Sequence, residues 1–583
     1  MSENILLTKI QALFVQGEYA LAEKTIDEIR GDFNLYTDLV AVYDANISLA
    51  QENHEKMWFA IQRGLLYNYK NYELYVLLGE YYIRFRANPN QAYLCYENAL
   101  FYCTDSEDSV FIQDCMNRLT DSYTITVPKT SFIILSYNLL DYTRDCIESI
   151  RNTVPESARE IVVVDNASQD GSVEWLRAQP DIILRENPVN SGFPKGCNEG
   201  VECASKENDI FLLNNDTVLT PNSLFWLRMG LYESDLHGAT GSISNHVSNA
   251  QMVIFKEPTL ENYFSFAKET NIPMQFPYEE KLYLVGFALL IKRSVFDQVG
   301  PLDERFSPGN YEDTDYGLRV ITAGYKNLLC KNSFIIHHGS KSFGKNVTTF
   351  NNVLQINAEK FKQKWDINPH YYLHPRLELV RQVTEARTSQ LNILDIGCGC
   401  GALSAALKGV YPNAATYGVE IVPSAANIAK HIGSVICGDI ETIEFPWPEN
   451  FFDYIVMGDV LEHLHEPAIV LQKLYKHIKT GGHIIVSMPN MKHYSVMLPL
   501  IIDDEFSYSD AGILDRTHLK MYTKTEIFKL ITDSNYEIEE FSFTSCGEPT
   551  PATMKFLHLL NNLSRSKDIN TYLAYQYIVK AKK

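Results

Sequence analysis

Residues 391–401 read LNILDIGCGCG, an apolar stretch that runs straight into glycines at 397, 399 and 401 before ALSAALKG resumes with helical spacing. Few folds pass a chain from a buried strand through three closely spaced glycines into a helix. Glycine takes positive φ without steric cost and puts no Cβ between backbone and ligand. The following helix turns its N-terminal amides and positive dipole end toward the same point. The spacing therefore predicts a strand–loop–helix unit of an α/β sheet that holds a nucleoside cofactor, against the plainer reading that the glycines only close a turn. The next apolar stretch, ATYGVE, ends in Glu420, 19 residues past Gly401, where a carboxylate accepts from both ribose hydroxyls. SVICGD predicts a third strand beside Asp439, and FDYIVMGDVLEHL a fourth.

From about 390 to 583 these features resemble a class I S-adenosylmethionine-dependent methyltransferase. Asp395 before a GxGxG spacing favours that family over NAD-type binders. DVLEHL at 459–464, GGHIIVSMPN at 481–490, LDRTHLKMYT at 514–523, the YEIEEFSF strand and the closing YQYIVKAKK support it. The segment most resembles O-methyltransferases of ubiquinone biosynthesis and glycan modification. The resemblance implies that Asp395, Gly397, Gly399 and Gly401 hold the methionine end of S-adenosyl-L-methionine, Glu420 the ribose and Asp439 the adenine amino group, with Asp459 also at the cofactor. His463 is the expected base for an acceptor hydroxyl, with His518 its rival; for both, and for Asp459, a substrate-shaping or core role is the plainer alternative.

At 583 residues the chain is long enough for three or four domains, each with its own core. Lys and Arg number 51 against 72 Asp and Glu, a net charge of −21 without any long basic run, which argues against a nucleic-acid partner. Eleven cysteines lack paired CxxC spacing, which favours free thiols over a disulfide or zinc framework. The start, MSENILLTKIQ, has no basic region followed by an apolar core, and no window approaches the ~18 apolar residues that span a bilayer. VMLPLII at 496–502 is too short. The expected place is the cytoplasm, with peripheral attachment at the inner membrane face as the alternative.

Residues 1–125 are helical by pattern and repeat themselves. Ala22, Met57 and Ala92 are 35 apart, as are Ile26, Ile61 and Tyr96, and Ile29, Gly64 and Ala99. Apolar or small residues at that period predict stacked helical hairpins. GEYALAEKTI, HEKMWFAIQRGL and NPNQAYLCYENAL resemble second helices of tetratricopeptide repeats, and LLGEYY a first helix. An irregular bundle is the alternative. Exposed Tyr and Phe residues there suggest a surface for a protein partner or self-association.

From about 129 to 345 strands and helices alternate around a second acidic set. SFIILSYN ends in polar residues, EIVVVDNASQDGS contains Asp165, and NDIFLLNNDT ends at Asp216. In an open α/β sheet, ligands bind at the carboxyl ends of strands, where these clusters fall. Further on come Glu312, Asp313 and Asp315, then His337 and His338 in FIIHHGS.

In this order the motifs resemble an inverting family 2 glycosyltransferase of the GT-A fold over roughly 215 residues. The resemblance implies that Asp165 reads the base of a nucleoside-diphosphate sugar, flanked by Ser136 and Tyr137, and that Lys195 in NSGFPKGCNEG meets the phosphates. Asn214, Asn215 and Asp216 occupy the place of the metal-binding DxD, its first aspartate replaced by Asn, and His337 sits where related enzymes place a further contact to a Mg²⁺ or Mn²⁺ ion or to the diphosphate. Such an ion offsets charge on the departing diphosphate. Asp313 is the expected catalytic base, taking the proton of an acceptor hydroxyl opposite the leaving group. The duller rivals are strand-end turn formers for Asp165 and Glu420, helix-start carboxylates for Asp313 and Asp315, and packed polar histidines for His337 and His338.

Residues 346–390 read as a connector: NAEKFKQKW has helical spacing and INPHYYLHP breaks it with two prolines. The expected architecture is multidomain: an all-α repeat module over 1–125, an α/β GT-A domain over 129–370, a linker over 371–388 and a seven-stranded, Rossmann-like α/β methyltransferase over 389–583. The expected function is transfer of a sugar from a nucleoside-diphosphate sugar to a lipid- or protein-linked surface glycan, with O-methylation of that glycan. The alternative is a glycan-assembly scaffold with one active domain. GEPTPATMKFLHLLNNLSRSK, before the last strand, is read as a cap on the acceptor pocket, a dimer surface or a lipid-headgroup contact.

Overall fold

The structure, a computed structural model, describes residues 3–339 and 347–583; the expected connector begins at 346, outside them. The chain divides into two compact units, 1–360 and 361–583.

In the first unit, helices Glu3–Val15, Tyr19–Asp27, Asp38–Ala50, His54–Tyr67, Tyr72–Arg86 and Pro89–Tyr102 form three successive pairs, followed by Ser106–Ser122. The 35-residue recurrence falls on the second helix of each pair, and Ala22, Met57, Ala92, Ile26, Ile61 and Tyr96 are all at most 1% exposed. Asn53, Asn71 and Asn88 cap successive helices, each side chain accepting from the amide three residues on. Gly64 and Gly79 let the helices close: a Cβ there would lie 2.6 Å from Ala41 and from the Tyr96 ring.

Much of the aromatic surface expected to meet a partner is instead packed inside this unit. Tyr75 meets Phe225 edge-on at 5.5 Å. Tyr102 donates to Asn222 Oδ1 at 2.9 Å, and Asn222 donates to the Tyr75 hydroxyl at 2.8 Å. Gln91 donates to Met229 O, and buried Arg228 pairs with Glu97. A pattern of apolar positions shows that a face is covered, but not whether the cover comes from another part of the chain. Phe33, Phe59 and Phe111 stay exposed.

The sheet of the first unit contains β1 (Thr130–Ser136), β2 (Arg159–Asp165), β3 (Ile182–Glu186), β4 (Asp209–Asn214), β5 (Thr217–Leu219), β6 (His237–Ile243), β7 (Tyr278–Lys281), β8 (Ala288–Ile291) and β9 (Lys326–His337). Its order is β3-β2-β1-β4-β8-β6-β9-β5, with β7 also on β9. The first four strands are parallel, and register pairs Ser136 with Asp165 and Leu135 with Asn214. That register brings their carboxyl ends to one edge. Helix Phe193–Cys203 lies on β1 through Gly196 and Gly200, whose Cβ atoms would fall 2.3 and 2.5 Å from Leu135 and Ile133.

The second unit carries β10 (Asn392–Ile396), β11 (Ala415–Glu420), β12 (Ser434–Cys437), β13 (Phe452–Gly458), β14 (Ile478–Pro489), β15 (Glu537–Thr544) and β16 (Gln576–Lys582) in the order β12-β11-β10-β13-β14-β16-β15. β16 is antiparallel to both neighbours, completing the expected seven-stranded sheet. The start of the expected 371–388 linker, with the residues just before it, packs on the second unit. Ile367 and Pro369 are buried, Ser424 donates to Asp366 O at 3.0 Å, and Cys400 of the glycine loop donates its amide to Tyr372 O at 3.1 Å. Among the described residues no helix is long and apolar enough to cross a membrane.

Candidate active sites

In the first unit the loops after β1 and β2 are stitched together: Asn138 donates its amide to Ser168 Oγ, and Gln169 donates to Asn138 Oδ1. Asp165 ends β2 almost fully buried. Its Oδ1 accepts from Ser168 N at 2.8 Å, while its Oδ2 and the buried Ser136 Oγ have no hydrogen-bond partner. Buried polar atoms are rarely left unpaired, so this pair fits a ligand with matching donors and acceptors. Tyr137 beside them is 38% exposed. Lys195 projects into solvent from the first turn of the helix that Gly192 opens.

Asn214 and Asp216 face His337, and Asn215 does not. The Asn215 amide donates to Thr143 Oγ1 at 3.0 Å, into the helix Leu140–Thr153, so this member of the expected nucleotide-sugar set serves helix packing. Asp216 Oδ1 lies 3.1 Å from His337 Nε2, and Asn214 Nδ2 3.5 Å from it. His337 Nδ1 must donate to His246 O, 2.6 Å away, since a carbonyl only accepts. Nε2 then offers Asp216 either a second proton or a bare lone pair. A lone pair beside a carboxylate is an arrangement that a divalent cation joins. Burial alone would raise the Asp216 carboxyl; the hydrogen bond and charge of His337, with His338, outweigh it and hold it below the usual range.

Asp313 sits in the first turn of helix Glu312–Thr322, after Asn310 and Tyr311 at φ 75° and 74°. Its Oδ2 accepts from Gly286 N at 3.0 Å and its Oδ1 from Thr314 N at 2.6 Å. The next residue, Phe287, stacks on His337 at 5.1 Å and accepts from Asn214 N, so a two-residue segment ties Asp313 to the Asp216–His337 group. Burial raises the Asp313 carboxyl. Asp315 belongs elsewhere: fully buried, it pairs with Arg319 at 2.9 Å.

Burial, then the charge of Asp313, pushes the Glu312 carboxyl well up, and its Oε2 has no partner. A carboxyl whose pKa is raised by folding favours the folded state below its ordinary pKa, and that contribution is lost as pH rises through the raised one. Glu312→Gln removes the loss. Stability at neutral pH should rise by an amount on the order of 1 kcal/mol, seen as a higher melting temperature, and the gain should shrink toward acid pH. A lower melting temperature at neutral pH overturns this.

In the second unit Gly397, Gly399 and Gly401 take φ of 71°, 54° and 87°. Asp395, Gly397, Gly399, Glu420 and Asp439 line a cavity of about 1230 Å³. Gly401 is not at its wall and instead caps helix Ala402–Val410. Glu420 accepts from Gly399 N and Val422 N, both at 2.8 Å, which fixes the loop to the end of β11. Asp395 Oδ2 is buried without a partner, and burial, then the charge of Glu420, pushes this carboxyl well up.

Asp459, expected at the cofactor, is already committed. Its Oδ2 accepts from Arg376 Nη1 and Gln576 Nε2, each at 2.7 Å, and its Oδ1 from Ser487 Oγ at 2.8 Å. Arg376, the cation at this wall, went unread in the sequence because it lies in the proline-broken segment and meets partners 83 and 111 residues away. Tyr371 and Tyr372 of the same segment also line the cavity. His463 lies at the wall, 4.8 Å from the His518 ring, and burial, then the His518 charge, lowers its pKa.

Residues 131–300 match the family model described as Glycosyl transferase family 2, and residues 367–540 the one described as Methyltransferase domain. The chain is 29% identical over 178 residues to the Ubiquinone biosynthesis O-methyltransferase of Rickettsia prowazekii, covering 29% of this chain and 69% of that protein. It is 28% identical over 228 residues to Glycosyltransferase AglE of Haloferax volcanii, covering 38% and 70%. The alignments span 69%, 63% and 61% of the first three methyltransferase relatives, so the chain spans about two thirds of their length. A solved SAM dependent methyltransferase from Archaeoglobus fulgidus aligns with 39% of this chain and 99% of its own at 18% identity and a TM-score of 0.28. The chain carries a family 2 glycosyltransferase domain and a methyltransferase domain in one polypeptide.

Proposed function

We propose that the first unit transfers a sugar, with inversion, from a nucleoside-diphosphate sugar to a lipid- or protein-linked surface glycan, and that the second O-methylates a sugar of that glycan with S-adenosyl-L-methionine. The observation that carries the reading is a matched pair of orphaned oxygens. Asp165 Oδ2 and Asp395 Oδ2 are each buried on a parallel strand paired on both sides and each lack a partner. A nucleobase N–H suits the first, beside Ser136. The ammonium of the methyl donor suits the second and offsets the cost of keeping a carboxyl there.

On this reading Lys195 meets the diphosphate, while Asp216 and His337, with the Asn214 amide alongside, hold a Mg²⁺ or Mn²⁺ ion. Such an ion supplies electrostatic stabilisation of the leaving diphosphate. Asp313 takes the proton of the attacking hydroxyl. In the second unit Glu420 turns its remaining lone pairs to the ribose, Asp439 meets the adenine amino group, and Arg376, held by Asp459 and Ser487, faces the donor's carboxylate. The helical pairs of residues 3–122 form a tetratricopeptide-like module, whose exposed face remains available to a partner. The enzyme works in the cytoplasm or at the inner membrane face.

Calorimetry on the full chain tests the reading. One class of nucleoside diphosphate and S-adenosyl-L-methionine should each bind at one per chain, independently. A chain that binds neither, or only one, is a scaffold or a single enzyme.

A further inference from the structure

Two inserts leave the second sheet at one edge. β16 is antiparallel to both β14 and β15, so those two strands run the same way, and Gln576 pairs with Pro489 on one side and Thr544 on the other. The chain therefore leaves the sheet after 489 and again after 544 on either side of one residue. The Tyr494 hydroxyl of the first insert donates to Cys546 O of the second at 3.3 Å, which sets their bases side by side.

Each insert exposes large apolar side chains. Pro499–Asp503 is a turn of π-helix with no buried residue, and Leu500, Ile501, Ile502, Phe506 and Tyr508 are all exposed. In the second insert, helix Pro551–Leu563 buries Leu557 alone, while Leu559 and Leu563 are 63% and 84% exposed. Clustered apolar exposure of this kind marks a surface that something covers.

Charge decides what covers it. Residues 494–511 carry Asp503, Asp504, Glu505 and Asp510 and no Lys or Arg; residues 549–567 carry Lys555, Arg565 and Lys567 and no Asp or Glu. The two sets do not neutralise each other within the chain: among the described residues no ion pair joins the inserts, and Asp510 pairs instead with Arg516. An anionic lipid surface would attract the basic insert and repel the acidic one beside it. A second copy of the chain satisfies both, because a two-fold axis lays the acidic insert of each copy against the basic insert of the other.

We propose that a second copy of this chain docks on this edge, with the apolar residues of both inserts at the centre of a symmetric interface and their opposite charges facing each other at its rim. Apolar burial supplies the affinity, and the charges fix partner and register. The acidic insert runs on into Ala511 and Gly512 at the cavity wall, so pairing also braces that wall. Any effect on methyl transfer rests on the methyltransferase reading; the dimer does not.

The test is sedimentation of the full chain over a range of protein concentrations, where a dimer in equilibrium with monomer is expected. Ile501→Glu and Leu559→Glu should each weaken it by about tenfold or more, the effect of losing an interface anchor. Reversing the acids (Asp503→Lys, Asp504→Lys and Glu505→Lys together) or the bases (Lys555→Glu, Arg565→Glu and Lys567→Glu together) should also weaken it. The chain with both reversals should regain it, since opposite charges face each other again. All eight positions are exposed, and regained pairing is a result that misfolding does not produce. A chain that is monomeric at every concentration, a dimer that every variant leaves intact, or a combined reversal that restores nothing overturns the proposal. Flotation of the chain with neutral or anionic phospholipid vesicles, lost in Ile501→Glu, means that lipid covers the face instead. Calorimetry with S-adenosyl-L-methionine on the same variants separates the two ideas: if the cofactor binds a chain that does not pair, the methyltransferase reading stands without the dimer.

Discussion

Asp313→Asn should lower sugar transfer by ~10² to 10⁴ while leaving nucleotide-sugar affinity unchanged. The substitution keeps the shape of the group, and the asparagine carbonyl can still accept from Gly286 N or Thr314 N, so the two-residue link to Phe287 and His337 survives. Only the capacity to take a proton is removed. The pH profile gives a second readout. Burial raises this carboxyl above the ordinary range, and a base works only when ionised. Transfer by the native chain should fall as pH drops through that raised value, and the residual transfer of the variant should lack that limb. Native-rate transfer by Asp313→Asn means the base is another group. A large loss of donor affinity means that Asp313 holds the donor.

The parts legible in the sequence are those whose signal is local and periodic. Apolar runs ending in Ser136, Asp165 and Asn214 mark strand ends, and the parallel register then places them side by side without further instruction. Three closely spaced glycines mark the loop that Glu420 holds. Illegible were roles set by distant closure. Arg376 reads as one residue of a broken connector until the fold brings Asp459 and Ser487 to it.

Glu462 sits in DVLEHL beside Asp459, and nothing in that hexapeptide says that one carboxylate will be clamped and the other left bare. Loop 513–520 decides that when it folds over them. Gly401 shares the spacing of Gly397 and Gly399 yet ends up capping a helix, because the chain has turned into the helix by that point. Asn215 illustrates alternation: with Asn214 and Asp216 facing His337, the residue between them faces the helix behind.

Gly399→Val should abolish S-adenosyl-L-methionine binding and leave sugar transfer intact. Two effects add at this position. Its φ of 54° is one that a β-branched residue resists, at a cost of roughly 1–3 kcal/mol. A Cβ would also sit 3.1 Å from Tyr372 O and 3.3 Å from Tyr372 Cα, with backbone on the far side that cannot swing away as a flexible side chain would. Relief of either strain moves the loop, and with it the amide that Gly399 donates to Glu420. The Glu420 carboxylate, which we propose meets the ribose, then loses its aim along with the glycine loop.

Residues 361–583 form their own compact unit with their own sheet and core, so the strain should appear in the melting of that part alone. Gly399→Ala carries the same unfavourable φ with less bulk and should bind weakly instead of not at all. Calorimetry with S-adenosyl-L-methionine and a sugar-transfer assay on the same preparation decide the matter. Unimpaired cofactor binding by the valine variant removes the glycine loop from the site. Loss of sugar transfer in a protein whose first unit still melts normally means that the two activities are coupled.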